Sequence, residues 1–129
     1  MSDDCGNLSG YAAPVKSDLM LLRQMVLDVA ASNPVIGPIE ESTKWGEPSY
    51  APEKKGIGSS VRITLRRDGR ISMNFICHTG LVGRFRAIYG DRLSFEGNRT
   101  IIIDPAKPLP REELNHCIAM ALTYFRNKP

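Results

Sequence analysis

Residues 61–77 read Val-Arg-Ile-Thr-Leu-Arg-Arg-Asp-Gly-Arg-Ile-Ser-Met-Asn-Phe-Ile-Cys, with apolar and polar residues alternating on both sides of Asp68-Gly69. Such alternation is typical of a β-strand with one buried face, because successive side chains of a strand point to opposite faces. Asp-Gly tolerates the positive φ angles of a tight hairpin turn. The stretch therefore predicts a β-hairpin with an apolar face that helices must cover and a polar face that can remain in water.

The segment before the hairpin has helical and irregular patterns. Apolar residues recur at three- and four-residue intervals from Pro14 or Ser17 to about Ser32, which predicts an amphipathic helix. A short second helix is expected over Ile36–Thr43. The Gly- and Pro-bearing segment Lys44–Tyr50 is expected to be extended and irregular, with its aromatic residues at an edge of the core.

The segment after the hairpin predicts two helices and two strands. Thr79 is placed to cap a short helix that Gly90 terminates, and two strands follow over Arg92–Phe95 and Arg99–Ile103. The last helix begins near Pro110. Its apolar stripe is expected to be buried and consists of Leu114, Cys117, Ile118, Ala121, Leu122 and Phe125.

These elements predict an α+β fold with a mostly antiparallel sheet of about five strands. The N- and C-terminal helices are expected to pack on one face of that sheet. Residues 1–13 have no apolar period and are expected to form a flexible tail, with a single domain over residues 14–129.

The composition favours an ordinary globular protein of the cytoplasm. Hydrophobic residues make up 42% and charged residues 24% of the 129 residues. No apolar run approaches the roughly 18 to 20 residues that cross a bilayer, and we expect no membrane association. The three cysteines are widely spaced and odd in number, which favours reduced thiols over a disulfide framework.

Arginine is concentrated in the second half of the chain. Eight of the eleven arginines lie between Arg62 and Arg99, where there is no lysine. The planar guanidinium suits bidentate contact with carboxylate or phosphate, so this bias indicates an anionic partner. The alternative is that these arginines only solvate the outer face of the sheet.

Several segments together resemble the YdhG-like bacterial family of unknown function. They are an Asn-Pro at the end of the first helix, Lys-Trp-Gly-Glu-Pro-Ser-Tyr at 44–50, and Leu-Ser-Phe-Glu-Gly-Asn-Arg-Thr-Ile-Ile-Ile at 93–103. The resemblance runs over about residues 15–126, and Trp45–Tyr50 is its most specific part. It implies helices packed on a curved antiparallel sheet. One branch of the family is regarded as frataxin-like and linked to iron delivery, whereas Cys77–Tyr89 departs from the commoner family pattern.

Metal binding is weakly supported by the residues themselves. Asp18 and Asp28 on the first helix lie about 15 Å apart by helical rise and form no acidic ridge for iron. The dipeptides Cys77-His78 and His116-Cys117 invite a zinc interpretation, but each places its two side chains in different directions. We therefore expect core cysteines and neither a metal nor another cofactor.

His78 is the candidate for chemistry, because it stands at a strand end before a helix N-terminus where backbone N–H groups can hold an anion. Arg84 and Arg86 could add charge there. Nucleic acid is an alternative partner for the hairpin arginines 62, 66, 67 and 70, but no aromatic residue is interleaved with them for base stacking, so we expect none.

The sequence therefore favours a binding or accessory domain, leaning away from an enzyme, that takes an anionic small molecule or an acidic protein surface. It is expected to be a monomer or homodimer. The alternatives are a frataxin-like iron chaperone and a phosphate-handling enzyme centred on His78. The predicted ligand-binding residues are Trp45, Tyr50, Arg62, His78, Arg84 and Arg86.

Overall fold

The computed structural model describes residues 13–44, 47–76 and 79–126. In chain order the elements are α1 (Ala13–Ala31), β1 (Ile39–Lys44), β2 (Glu47–Pro52), β3 (Val61–Leu65), β4 (Ile71–Phe75), α2 (Leu81–Tyr89), β5 (Ser94–Glu96), β6 (Thr100–Ile103) and α3 (Arg111–Leu122). A single 3₁₀ turn, Gly90–Arg92, joins α2 to the segment before β5. This arrangement confirms the α+β class and the helices near both ends of the described chain.

The six strands form one sheet in the order β1-β2-β3-β4-β6-β5, and every neighbouring pair is antiparallel. The prediction of about five strands was one too few. The prediction of a short helix over Ile36–Thr43 was wrong, because β1 begins at Ile39. The segment Lys44–Tyr50, predicted to be extended and irregular, contains the start of β2. Two prolines of β2 are tolerated because only Ser49 and Tyr50 pair with β3, so Pro48 and Pro52 need no ladder bond on that side.

The predicted hairpin is confirmed with its register. Val61 pairs with Phe75, Ile63 with Met73 and Leu65 with Ile71, so all six apolar residues lie on one face. The turn is longer than an Asp-Gly pair. Arg66 donates its N–H to the carbonyl of Arg70 at 2.8 Å, which leaves a three-residue loop ending in Gly69 at a φ of 87°. A left-handed residue at this position is what allows the three-residue connection.

One cluster of buried side chains joins the three helices to this apolar face, which we call the covered face. The opposite face is called the open face. The buried stripe of α3 is confirmed for Leu114, Cys117, Ile118, Ala121 and Leu122. Phe125 was wrongly included in it and is 47% exposed, because α3 ends at Leu122 and the helical period ends with it.

The predicted end of α2 is confirmed, because Gly90 follows its last helical residue. At the start of the helix the capping position is Gly80 and not Thr79, although the Thr79 hydroxyl accepts a hydrogen bond from the N–H of Leu81 at 3.2 Å. The predicted tail lies outside the described residues except for Ala13, which belongs to α1. Within the described ranges, no helix has the combination of length and apolar character needed to cross a membrane.

Candidate functional site

The open face carries a row of polar side chains that crosses five neighbouring strands. Ser49 of β2 pairs with Arg62 of β3, which pairs with Asn74 of β4. Asn74 also pairs with Thr100 of β6, which pairs with Glu96 of β5. Because directly opposed residues of an antiparallel sheet project to the same face, these five side chains form a continuous line, which we call the polar row.

A groove with a volume of about 760 Å³ lies over the polar row and opens to solvent. Four arginines and three carboxylates line it, leaving one net positive charge: Arg62, Arg66, Arg67 and Arg99 against Glu47, Asp68 and Glu96. Most of the remaining lining consists of hydroxyl and amide side chains, namely Thr64, Ser72, Asn74 and Thr100. The groove is therefore polar, weakly basic and rich in hydrogen-bonding groups.

A chain of hydrogen bonds runs along the floor of the groove. The hydroxyl of Thr100 donates to Asn74 Oδ1 at 2.9 Å, and Asn74 Nδ2 donates to Thr64 Oγ1 at 3.0 Å. Each bond polarises the next in such a chain. The proton of the Thr64 hydroxyl, at the end of the chain, has no acceptor among the described residues, so it is available to an acceptor in the groove.

Arg66 is held on one side of the groove by three hydrogen bonds. It donates from Nη1 and Nη2 to the two carboxylate oxygens of Glu96, at 2.9 and 3.1 Å, and from Nη1 to Ser72 Oγ at 2.9 Å. These bonds lower the pKa of Glu96 and raise that of Arg66. Because both Nη atoms of Arg66 already donate to Glu96, this guanidinium forms a fixed wall of the groove and is less available than the other arginines to bind an anion.

The other two carboxylates of the groove also face arginines. Asp68 accepts hydrogen bonds from Arg70 Nη2 at 2.7 Å and Nε at 2.9 Å, and these lower the pKa of Asp68. Glu47 lies 3.8 Å from Arg62, a loose ion pair without a hydrogen bond. Arg62 thus keeps hydrogen-bonding capacity for a ligand.

Arg67 and Arg99 are the two groove arginines that form no ion pair or hydrogen bond with side chains in residues 13–44, 47–76 and 79–126. Both are exposed. Arg67 lies in the β3–β4 turn, whereas Arg99 directly precedes Thr100, and its carbonyl accepts the N–H of Phe75 at 2.7 Å. The two cations without partners therefore stand at opposite ends of β4.

The predicted site residues do not gather in one place. Arg62 lines the groove, but Tyr50 is buried on the covered face, because its neighbour Ser49 takes the open face. Arg84 and Arg86 are exposed on α2, where the Arg86 guanidinium lies 5.3 Å from the centre of the Phe95 ring. Trp45 and His78 lie outside the described residues.

Sequence reasoning missed three members of the groove that carry much of its chemistry: Thr64, Asn74 and Arg99. The signal for the first two was present, since Thr64 and Asn74 are the polar positions of the alternating hairpin. Arg99 stands just outside a strand, where alternation does not give the direction of a side chain.

Of the two dipeptides considered for zinc, His116-Cys117 lies within the described residues. Cys117 is buried in the core, and that burial raises the pKa of its thiol to about 12. His116 is exposed and shares a hydrogen bond of 2.5 Å with the Tyr89 hydroxyl through Nδ1. The expected core position is thus confirmed for Cys117, whereas Cys77 and His78 lie outside the described residues. No cluster of three or more His, Cys, Asp or Glu suited to a metal ion occurs in the described part of the chain.

Comparison with known proteins identifies no relative. No protein-family model, curated protein or solved structure matches this chain. The resemblance to the YdhG-like family therefore stays a prediction.

Proposed function

We propose that this protein is a binding module that takes an anionic ligand in the groove on the open face of its sheet. The observation that supports this most directly is the pair Arg67 and Arg99, two exposed guanidinium groups without a described partner that face a common groove. A guanidinium recognises carboxylate and phosphate by bidentate hydrogen bonds. Arg62 adds a third cation that is only loosely paired.

A small molecule suits this groove better than an acidic protein surface. Its volume of about 760 Å³ falls within the range of roughly 300 to 1,000 Å³ that is usual for small-molecule sites. A highly charged acidic surface would meet three carboxylates as well as four arginines in the lining, so the single net positive charge of the groove offers it little attraction. The same three groups disfavour a nucleic-acid backbone.

The two alternatives have no comparable support in the described residues. An iron chaperone needs several oxygen ligands in one place, and the described carboxylates of the groove are bound to, or lie beside, arginines. A phosphate-handling enzyme would need His78, which lies outside the described residues. Both alternatives therefore stay predictions.

The experiment that tests the proposal compares two double variants of equal charge change. Arg67→Gln with Arg99→Gln removes the free cations of the groove, whereas Arg84→Gln with Arg86→Gln removes two exposed cations from α2. Binding of citrate, inorganic phosphate and gluconate is measured by calorimetry and by amide chemical shifts. We expect wild-type protein to bind at low ionic strength and less well at high salt. The groove variant should lose this binding and the α2 variant should retain it.

Two outcomes would overturn the proposal. If none of the three anions binds wild-type protein at low salt, the groove is not an anion site. If the α2 variant loses binding as completely as the groove variant, the anion is attracted by the overall charge or by α2, and the predicted Arg84 and Arg86 site gains the support that the groove loses.

A further inference from the structure

The distribution of charge along the groove says more about its ligand than the net charge does. Arg66, Asp68 and Glu96 are engaged in close ion pairs, and Glu47 loosely balances Arg62. What remains is one guanidinium at each end of β4 that has no side-chain partner in the described part of the chain, Arg67 beside its start and Arg99 beside its finish. Positive charge is therefore concentrated at two separated points.

The separation of these points follows from strand geometry. β4 runs from Ile71 to Phe75, and five residues of an antiparallel strand span about 14 Å between their first and last Cα atoms. Arginine side chains are long and flexible, so their guanidinium groups can approach each other over the groove. When the two arginine side chains are apart, a single carboxylate cannot contact both of them. A molecule with an anionic group at each end can contact both.

The floor between the two ends offers hydrogen-bond donors. The Thr64 hydroxyl ends the polarised chain with a proton that has no described acceptor, and Asn74 uses one of its two amide hydrogens on Thr64. Ser72 accepts from Arg66, which leaves its own hydroxyl proton for another acceptor. Such a floor favours a ligand with oxygen atoms along its length over one with a hydrocarbon linker.

We infer that the ligand is an elongated dianion with hydroxyl groups between its two anionic ends, bound by Arg67 at one end and by Arg99 at the other. This inference rests on the proposed anion site and specifies the class of ligand that the site binds. The floor residues Thr64 and Asn74 contact the hydroxylated middle of the ligand. Arg66 with Glu96 forms the wall that keeps the ligand aligned along β4.

Three probes with the same number of carbon atoms separate the parts of this inference. Galactarate has two carboxylates and a hydroxylated chain, gluconate has one carboxylate and a hydroxylated chain, and adipate has two carboxylates and no hydroxyl. Calorimetry on the full chain should rank galactarate first. The second charged contact is expected to improve its affinity over gluconate about tenfold. Fructose 1,6-bisphosphate shows whether phosphates can replace the carboxylates.

Single variants locate the two ends. In Arg67→Gln and in Arg99→Gln, the ratio of galactarate to gluconate affinity should fall to about one, because each variant leaves a single anion contact. In Arg111→Gln, which removes an exposed cation of α3 that does not line the groove, the ratio should stay as in wild type. Asn74→Ala should weaken galactarate and gluconate but leave adipate unchanged, a difference that a loss of folding would not produce.

The failures of the two proposals differ. If galactarate and gluconate bind wild-type protein equally, recognition at two ends is wrong while the anion site stands. If adipate binds as well as galactarate, the hydroxylated middle is wrong. If none of the probes binds, including inorganic phosphate, then the proposed function itself fails.

Discussion

The two faces of the sheet are made of neighbouring residues in the same strands, yet their interactions differ in kind. Ile63 and Met73 are buried on the covered face, whereas Thr64 and Asn74, the next residues along, hydrogen-bond to each other on the open face. Burial of each large apolar side chain contributes roughly 1.5 to 3 kcal/mol to stability. The ion pair of Arg66 with Glu96 lies at the surface, where solvent screens the attraction between the two charges, so it contributes much less to stability.

This difference teaches which face is available for binding. The covered face holds the fold together and has no room for a ligand at its centre, since its side chains are in contact with the helices. The polar side chains of the open face are held by hydrogen bonds and surface ion pairs, so a ligand can contact them without displacing the buried core. Substitutions on the covered face should therefore affect mainly stability, and substitutions on the open face should affect mainly binding.

The division predicts unequal costs for two neighbouring substitutions in β3. Ile63→Ala should lower the free energy of unfolding by about 2 to 5 kcal/mol, because it leaves a cavity under the helices. Thr64→Ala should cost about 1 kcal/mol or less, since only the bond from Asn74 is lost. Urea denaturation measures both. Equal losses would show that the two faces stabilise the fold alike.

The covered side also depends on close backbone packing at Gly58. A Cβ atom at this position would lie 1.9 Å from the carbonyl oxygen of Leu122 at the end of α3. Gly58→Ala should therefore lower the free energy of unfolding by about 1 to 3 kcal/mol. Gly83→Ala on α2 is the matched control, because no atom lies within 4 Å of its added Cβ. If Gly58→Ala unfolds at the same urea concentration as this control, the contact with α3 is dispensable.

On the open face, Asn74→Ala removes both bonds of the hydrogen-bond chain. Since these bonds lie on a partly exposed surface, we expect a loss of about 1 kcal/mol in the free energy of unfolding and a clear loss of galactarate and gluconate binding. Asn115→Ala, at an exposed position of α3, serves as the control for both readouts. A large loss of stability with unchanged binding would reverse the roles assigned to the two faces.

The smallest effect is expected from pH. The pKa values of Asp68 and Glu96 are lowered in the folded protein by hydrogen bonds from Arg70 and Arg66. Their contribution to stability is present above their ordinary pKa values and is lost as pH falls below about 5 through the lower folded values. Glu96→Gln should flatten the fall of unfolding free energy in this range. An identical fall in wild type and variant would show that the pair with Arg66 does not stabilise the fold.

Local patterns predicted the elements whose signals agree with their surroundings. The hairpin register, the end of α2 and most of the buried stripe of α3 follow from periodicity and from the position of Gly90. β2 was missed because its Pro48 and Pro52 argue against a strand locally, and β1 was missed because Ile39 was assigned to a short helix with Ile36. They are strands because β2 pairs fully with β1 and only briefly with β3, and no local pattern contains that information.

The site was predicted in part for the same reason. Arg62 and the general excess of arginine on the hairpin could be inferred from the sequence, but the partners of each arginine could not. Arg66 is neutralised by Glu96, which is thirty residues away in the chain. Tyr50 was assigned to the site because the register of β2 was unknown, and that register turns its side chain into the core.

By itself, the sequence determined the hairpin, its apolar and polar faces and the helices that must cover one of them, because strand and helix periods are properties of neighbouring residues. Only the tertiary structure decided that the open face joins five strands into one polar row. It also decided that Arg66 is bound by Glu96 while Arg67 and Arg99 have no side-chain partner within residues 13–44, 47–76 and 79–126. Ion pairs form between side chains that folding brings together from distant parts of the chain, so which arginines stay free to bind a ligand depends on the folded arrangement.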